Sequence, residues 1–443
     1  MKDFTHEYER RTPTSRRLYD EGRAIMPGGV SHSRRYFPPY PLYIERVQGS
    51  RIWDVDGNEY IDLWMGHYAL ILGHRSAIVT EALREVVEVG THWGFVHEHQ
   101  VALARLIQGM VPCVERLRFC TSGTEATMYA VRLARGFTGR PMILKMEGGW
   151  HGGNTDLSVA INPPFDQPES AGIPPEMTRL VRVIPFNDVE AAVSAIRACG
   201  NDLAGVIAEP VMGSAGMIPA EKAFLEALRE ETARAGALLI FDEVITGFRL
   251  SCGGAQEYYE VLPDLVVLGK IAGGGGNIGV IGGRADILNL SDPSISRKKG
   301  KGVLAGGGTF SSSPMTVIPG LVVLRYLKEH VPEIYPRLKS LGDRLRQGME
   351  QAFERAGVLG RAMGIESLCG FSLPFDSATR VRNAGDMASL TDLKRLDHEF
   401  RVRMLNHGVY LVHGGGAVSM AHTEGDVDRI VEATEAVAQE MRV

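Results

Sequence analysis

The most constraining feature of the sequence is a series of short, almost wholly apolar segments in its middle part, each followed by a helical or loop pattern. Apolar runs of about four to eight residues predict strands buried on both faces, which are typical of parallel sheets covered by helices. The predicted strands are ERLRFC (115–120), MILKMEG (142–148), LAGVIAEP (203–210), ALLIFDEV (237–244), DLVVLGK (264–270) and IGVIGG (278–283). This order predicts an α/β fold with a mostly parallel central sheet.

The two ends of the chain have a different character. Helical patterns continue through residues 317–331 and 336–357, which places the exit from the core domain near residue 325. The tail mixes helices with short strands, and in the N-terminal region Asp56-Gly57-Asn58 is a hairpin turn signal. We expect a large domain over residues 61–325. A smaller α+β domain would be formed by residues 1–60, the N-terminal segment, together with residues 326–443.

Composition argues against several classes of function. The chain of 443 residues has 48 Lys and Arg against 53 Asp and Glu, and this mild acidity argues against nucleic-acid binding. No apolar run reaches about 18 residues, so no membrane-spanning segment is expected. The charged residues 1–17 lack the apolar core of a secretory signal. The five cysteines form no CxxC pair, which indicates a cytoplasmic location and no structural zinc.

Two further clusters of polar residues are weak candidates for a site. His97 and His99 flank Glu98, but side chains two apart do not share a helix face, so no metal site is predicted. Asp242 and Glu243 are adjacent on a predicted strand. Successive strand residues point to opposite faces, so these two carboxylates cannot both reach one substrate.

The first strong feature is TSGTEA (121–126), which follows a predicted strand and opens a helix. Ser122, Gly123 and Thr124 would place two hydroxyl groups, free backbone N–H groups and the positive end of the helix dipole at one point. Such a junction is a phosphate-binding site. The alternative is an ordinary Ser or Thr helix cap.

Two more features end the predicted strands 237–244 and 264–270. Asp242 stands where a ligand-binding carboxylate would sit in an open α/β sheet, although a helix-capping Asp is an equal alternative. Lys270, if partly desolvated, would be a nucleophile toward aldehydes. A phosphate cradle, a carboxylate and a strand-end lysine are together what a phosphorylated pyridine aldehyde needs. The lysine carries it as a Schiff base, and the carboxylate keeps the ring nitrogen protonated.

Taken together, these segments resemble class III aminotransferases, which depend on pyridoxal 5'-phosphate and have the fold type I of aspartate aminotransferase. The resemblance extends from about residue 25 to the C-terminus. The most similar subgroup contains glutamate-1-semialdehyde 2,1-aminomutase together with D-phenylglycine and β-phenylalanine aminotransferases. The segments that carry it are SGTEATMYAVRLARGFTGR, EGGWHGG, AEPVMGSAGMIP, LLIFDEVITGFR, LVVLGKIAGGGG and GGGTFSSSPMT.

The resemblance implies a role for individual residues. It makes Lys270 the Schiff-base lysine and Asp242 the partner of the pyridine nitrogen. It places Val244 on one face of the ring and Trp150 on the other. The other cofactor-binding residues that it implies are Ser122, Gly123, Thr124, His151, Glu209 and, from a second subunit, Thr309. We therefore expect a homodimer with the active site at the subunit interface.

Departures from the family pattern bear on the substrate. The aminomutase usually has Tyr at the position of Trp150, and it carries a Glu-containing insertion near the C-terminus that this sequence lacks. Many class III transaminases bind α-carboxylates with a Glu and an Arg, at positions where this chain has Ser214 and Gly414. Arg35 falls where the subgroup binds the substrate carboxylate; the alternative is a surface or dimer-contact arginine. His67 belongs either to the substrate pocket or to the structure beside the interface.

The function expected from this resemblance is intermolecular transamination. An amino acid would donate its amino group to an oxo-acid acceptor by a ping-pong mechanism that passes through a Schiff base. The candidate donors include aryl-glycines and β-amino acids. The freed amine of Lys270 would move the proton between the substrate carbon and the cofactor. The alternatives are the aminomutase, a racemase or decarboxylase on the same scaffold, and a non-catalytic relative.

Overall fold

The computed structural model describes residues 4–167, 169–298, 300–412 and 415–442. The helices are α1 (Phe4–Arg11), α2 (Pro13–Ile25), α3 (Met65–Tyr68), α4 (Ala77–Val89), α5 (Glu98–Gln108), α6 (Gly123–Thr138), α7 (Pro175–Thr178), α8 (Val189–Cys199), α9 (Lys222–Ala235), α10 (Ala255–Tyr259), α11 (Ala285–Leu288), α12 (Pro293–Ser296), α13 (Pro314–Glu329), α14 (Val331–Ala356), α15 (Ala384–Leu390), α16 (Arg401–Asn406) and α17 (Glu424–Met441). The strands are β1 (Ile44–Gln48), β2 (Arg51–Asp54), β3 (Glu59–Asp62), β4 (Arg116–Cys120), β5 (Met142–Met146), β6 (Val181–Ile184), β7 (Leu203–Ala208), β8 (Val211–Met212), β9 (Ile218–Pro219), β10 (Leu238–Glu243), β11 (Leu265–Gly269), β12 (Gly279–Gly283), β13 (Arg361–Met363), β14 (Leu368–Ser372), β15 (Val409–Tyr410) and β16 (Gly416–Ala417).

The chain divides into two compact units. The first unit consists of Met1–Ser76, Pro336–Arg380 and Leu390–Val443, and the second consists of Ala77–Tyr335 with Val381–Ser389. The domain boundaries near residues 60 and 325 stay a prediction. Within the described residues, no helix combines the length and the apolar character that crossing a bilayer requires.

The second unit is built on a seven-stranded sheet in the order β4-β12-β11-β10-β7-β5-β6. The strands from β11 to β6 are parallel to their neighbours, whereas β12 is antiparallel to both β11 and β4. All residues of β7, β10 and β11 are buried, so both faces of the sheet centre are covered. The predicted α/β fold with a mostly parallel sheet is confirmed.

Strand β6 was not predicted from the sequence. It lies at one edge of the sheet, and its Arg182 is exposed while Val181 and Ile184 are buried. An edge strand with one solvated position does not form a continuous apolar run, which explains why the pattern of buried strands missed it.

Helix α6 positions the site by packing across the sheet. Its buried residues Ala126, Ala130 and Leu133 belong to the same core cluster as Ile240 of β10 and Val267 of β11. Because β4, β5, β7, β10 and β11 run in the same direction, their carboxyl ends lie along one edge of the sheet. Ligands of open α/β sheets bind at such an edge.

The first unit brings the two chain ends together. One sheet has the order β1-β2-β3-β15, and Ile61 of β3 lies opposite Val409 of β15 in a parallel pair. The predicted hairpin turn joins β2 to β3: the amide of Asp54 donates to the carbonyl of Asn58, and Gly57 has φ +85°. A second sheet has the order β13-β14-β16.

Candidate active site

A cavity of about 170 Å³ lies at the carboxyl edge of the sheet in the second unit. Eight of the twelve predicted site residues line it, and they come from the ends of five strands and the segments that follow them. The lining residues are Gly123, Thr124, Trp150, His151, Gly152, Glu209, Ser214, Asp242, Val244, Ile245 and Lys270. Residues as much as 147 positions apart are therefore brought to one point by the strand order.

The N-terminus of α6 forms one end of this cavity. Ser122 caps the helix, because its Oγ accepts a hydrogen bond of 3.3 Å from the amide of Glu125. The amides of the first helical turn have no acceptor within the helix, and the positive end of the helix dipole lies here. The hydroxyl of Thr124 accepts a bond of 3.3 Å from the amide of Gly153. The capping role and a phosphate-binding role are therefore compatible.

Asp242 lies at the end of β10 and is buried. Its Oδ2 is 2.8 Å from Nδ1 of His151, and its Oδ1 accepts a bond of 3.2 Å from the amide of Val244. It therefore caps no helix N-terminus, and the alternative interpretation of this residue is wrong. Burial lowers the pKa of His151, so the neutral imidazole donates from Nδ1 to the carboxylate. The other ring nitrogen, Nε2, is buried and has no hydrogen-bond partner among the described residues.

Lys270 directly follows β11 and has a strained backbone. Its φ is +47°, in the left-handed region that residues with a side chain rarely adopt. Burial lowers the pKa of its amine to about 8, against the opposing attraction of Asp242 and Glu209. A larger share of the amine is therefore neutral near neutral pH than in an exposed lysine.

Glu209 lies just after β7 and orients the loop that carries Trp150. Its Oε1 accepts a bond of 2.9 Å from the amide of Trp150, and its Oε2 accepts one of 3.1 Å from the amide of Gly213. Burial and the neighbouring Asp242 raise the pKa of Glu209 to about 8. The carboxyl group of Glu209 is therefore harder to ionise than that of an exposed glutamate.

Glu243 points away from the cavity, as the strand geometry predicts for a residue next to Asp242. It is fully buried and accepts bonds from the amides of Ala255 and Gln256, at 2.5 and 3.2 Å. It also accepts a bond of 3.1 Å from the hydroxyl of Thr246. Its role is to cap α10, and the two adjacent carboxylates have different functions.

Arg35 and His67 line a different cavity, of about 510 Å³, in the first unit. Arg35 is exposed, and its Nη1 lies 3.4 Å from Oγ of Ser31. His67 has φ +58°, and its ring centroid lies 4.3 Å from that of Trp64. Both side chains are thus at the surface of a pocket, and their predicted roles stay predictions.

Comparisons with known proteins identify the family of this chain. Residues 32–423 match the family described as aminotransferase class-III. The chain is 41% identical to a glutamate-1-semialdehyde 2,1-aminomutase of Archaeoglobus fulgidus over 95% of this chain and 98% of that protein. Among solved structures, an omega-transaminase of Sphaerobacter thermophilus is 34% identical with a TM-score of 0.88, covering 97% of this chain and 98% of that chain. A β-phenylalanine aminotransferase of Variovorax paradoxus is 33% identical with the same TM-score, covering 98% and 95%.

This chain belongs to the class III aminotransferase family. The resemblance inferred from the motifs is confirmed, and so is the fold type I architecture. The chain is therefore an enzyme of the class III family, whose members depend on pyridoxal phosphate.

Two further family positions, one related to the substrate and one to the cofactor, lie in the second unit. Ser214, at the position of the Glu of many class III transaminases, is half-buried in the cavity lining. Thr309, predicted to bind the cofactor from a second subunit, is exposed and lies outside the cavity lining of its own chain. Gly414, at the position of the transaminase Arg, falls outside the described residues.

Lys145 of β5 lies beside the class III site and was not among the predicted site residues. Its side chain is completely buried, and its Nζ donates to the carbonyls of Gly149, Leu157 and Val159. The signal was present as a lysine in the centre of an apolar strand, MILKM. A charge at such a position requires hydrogen-bond acceptors inside the protein.

Proposed function

We propose that this chain binds pyridoxal phosphate in the cavity of its second unit and uses it to move the amino group of a small amino acid. The observation that carries the proposal is the convergence of Lys270, Asp242 and the N-terminus of α6 on one cavity. These groups are the amine, the carboxylate and the anion cradle that the cofactor requires.

The cavity residues fit this cofactor in charge and in hydrogen bonding. The helix N-terminus with Ser122, Gly123 and Thr124 would hold the phosphate group. Asp242, already supported by His151, would hold a proton on the pyridine nitrogen. Nε2 of His151 is a buried polar atom without a partner among the described residues, and a bound polar group would supply one.

The chain's own residues would supply positioning and proton transfer. Bound pyridoxal phosphate supplies a ring that withdraws electrons from the substrate carbon. Lys270, whose amine is partly neutral because its pKa is lowered to about 8, can accept a proton from that carbon and return it at another. Val244 and Trp150 would bracket the ring, since both line the cavity. Trp150 keeps 41% of its surface exposed, so its indole can cover a ligand from the solvent side.

Within this chemistry, we propose glutamate-1-semialdehyde 2,1-aminomutase activity as the specific reaction. The support comes from relatives of that name, of which the one from Archaeoglobus fulgidus matches almost the whole chain. The reaction would transfer the amino group between two carbons of one substrate and would consume no oxo acid. This choice replaces the transaminase favoured by the sequence departures, because the similarity over the whole chain favours the mutase.

Transamination between two substrates is the second candidate, and a specific observation favours it. The two solved transaminase structures share 34% and 33% identity with this chain and cover nearly all of it. The predicted transaminase donors are aryl-glycines and β-amino acids. The homodimer and its cytoplasmic location also stay predictions.

Product analysis distinguishes the two reactions. Purified protein loaded with pyridoxal phosphate is incubated with glutamate-1-semialdehyde alone, and 5-aminolevulinate is measured. In parallel, each of a panel of amino donors is incubated with an oxo acid, and the new amino acid is measured. Formation of 5-aminolevulinate without an oxo acid supports the mutase. Turnover only with a donor and an oxo acid makes the chain a transaminase, and no turnover in either arm contradicts the proposed chemistry.

A further inference from the structure

Lys145 is the least expected charged residue of the second unit. Its side chain has no exposed surface, and its Nζ lies 2.9 Å from the carbonyl of Gly149, 3.1 Å from that of Leu157 and 2.7 Å from that of Val159. Among the described residues its ammonium group forms no salt bridge. An ammonium group carries three N–H donors, so the three carbonyls match its full capacity.

The three carbonyls lie at the two ends of one segment. We call residues 149–159 the site loop; it contains Trp150, His151 and Gly152, which line the cavity. Its backbone forms no helix, and other side chains hold its middle: the hydroxyl of Thr127 donates to the carbonyl of His151 at 2.6 Å. Lys145 thus closes the loop at its base, from inside the sheet.

We propose that Lys145 is a positioning residue, which sets the site loop so that His151 meets Asp242 and Trp150 covers the cavity. This role rests on the proposed function, because it concerns the residues that would hold the cofactor. Lys145 does not line the cavity; it acts through the loop backbone. Burial lowers the pKa of its amine to about 8, and Glu209 and Glu169 oppose this shift.

The three carbonyl groups around Nζ explain why the residue is a lysine. Three inward carbonyls would be left without donors if an apolar side chain stood at this position, and each buried unsatisfied acceptor is unfavourable. A neutral amine has only two N–H groups and would leave one carbonyl unpaired. The protonated form therefore completes the loop.

The test compares Lys145→Met with a matched control, Arg140→Met. Arg140 lies just before β5, and its Nη1 also donates to two backbone carbonyls, of Leu203 at 3.2 Å and Ala235 at 2.7 Å. Both variants therefore remove a cation that binds main-chain oxygens, but only Lys145 binds the site loop. A third variant, Lys145→Gln, keeps two N–H donors and serves if Lys145→Met does not fold.

The first measurement is amide hydrogen exchange of residues 148–160 in the protein without added cofactor. We expect exchange in this segment to accelerate about tenfold or more in Lys145→Met, less in Lys145→Gln, and not at all in Arg140→Met. The second measurement is turnover by the loaded protein: kcat should fall about 10²-fold in Lys145→Met, because a shift of about 1 Å in a site has that effect. Arg140→Met should keep kcat even where its melting temperature is lower.

Unchanged loop exchange in both Lys145 variants overturns the proposal, as does a fall in kcat that Arg140→Met shows equally. If the wild-type protein binds no pyridoxal phosphate, the proposed function fails instead, and the exchange measurement still decides whether Lys145 holds the loop. Recovery of kcat in Lys145→Arg, which restores the charge and donors, would support positioning over a purely apolar packing role.

Discussion

The two cavities that contain predicted site residues are built in different ways. In the second unit, Asp242, Glu209 and His151 are buried, and each has a hydrogen bond that sets its orientation. In the first unit, Arg35 is exposed, and the hydrogen bond to Ser31 is long. The side chains of the second unit are therefore preorganised. In the first unit, the long cationic side chain of Arg35 has many accessible rotamers.

This difference suits the two cavities to different tasks: the cavity of the second unit to the chemistry, and that of the first unit to binding the substrate. A preorganised group loses little entropy when its ligand binds, so residues at strand ends are suited to hold a cofactor and move protons. An exposed arginine with one long hydrogen bond can instead form charge-assisted hydrogen bonds with a carboxylate when the substrate arrives. We therefore expect variants in the second unit to affect kcat most, and variants in the first unit to affect KM.

The largest effect is expected for Lys270→Ala. Removing the amine should reduce turnover by roughly 10⁴-fold, because the nucleophile that binds the cofactor aldehyde and the group that moves the proton are lost together. The long-wavelength absorbance of bound pyridoxal phosphate should disappear as well. Lys222→Ala is the control, since Lys222 is exposed and paired with Glu260 at 2.7 Å. Retained turnover in Lys270→Ala would overturn the assignment.

Asp242→Asn should reduce kcat by about 10²- to 10³-fold while the fold persists, because a neutral amide cannot hold the proton of the pyridine nitrogen. The matched control is Glu243→Gln, one residue along the same strand. Within the described part of the chain, Glu243 binds only the start of α10 and Thr246, so its variant should lose about 1–3 kcal/mol of unfolding free energy with kcat unchanged. Denaturant titration and steady-state kinetics separate the two. Equal kcat in both variants would contradict the roles assigned here.

The pH dependence of cofactor capture should report the amine of Lys270. Only the neutral amine is a nucleophile, and its pKa is lowered to about 8. The capture rate should therefore rise about tenfold per pH unit up to about pH 8 and then level off. Stopped-flow absorbance from pH 6 to 10, in roughly half-unit steps, checks this.

Two further results sharpen this pH test. Glu209→Gln should move the midpoint to lower pH, because the charge of Glu209 raises the pKa of Lys270. A midpoint near the ordinary lysine value of 10.5 would contradict the effect of burial. The unfolded chain binds more protons than the folded one between these two values, so Lys270 should make stability increase with pH in that range.

The smallest effect is expected for Arg35→Ala. Loss of a carboxylate-binding arginine should raise KM about tenfold and change kcat little, since the interaction is the same before and during reaction. Arg34→Ala is the neighbouring control. Steady-state kinetics with a carboxylate substrate measures both. An equal rise in KM for the two variants would show that Arg35 is not a specific anchor.

Sequence patterns predicted the strand ends better than the surroundings of the site. Six of the seven strands of the large sheet follow the apolar runs, and Asp242 and Lys270 stand at the ends of two of them. The edge strand β6 escaped because its positions are half solvated. Lys145 was missed for a different reason: a lysine within an apolar strand indicates that acceptors must exist inside the protein, but the sequence does not show which carbonyls they are.

The sequence by itself determined the fold class, the family and the residue types of the site. Those properties depend on local patterns: a strand must be apolar to be buried on both faces, and a helix N-terminus is marked by its cap. Only the tertiary structure decided that His151 supports Asp242, that Glu243 caps α10 and that Lys145 holds the site loop. These roles join residues far apart in sequence. Burial requires each of these polar groups to form a hydrogen bond within the protein, because a polar group removed from water needs a partner there.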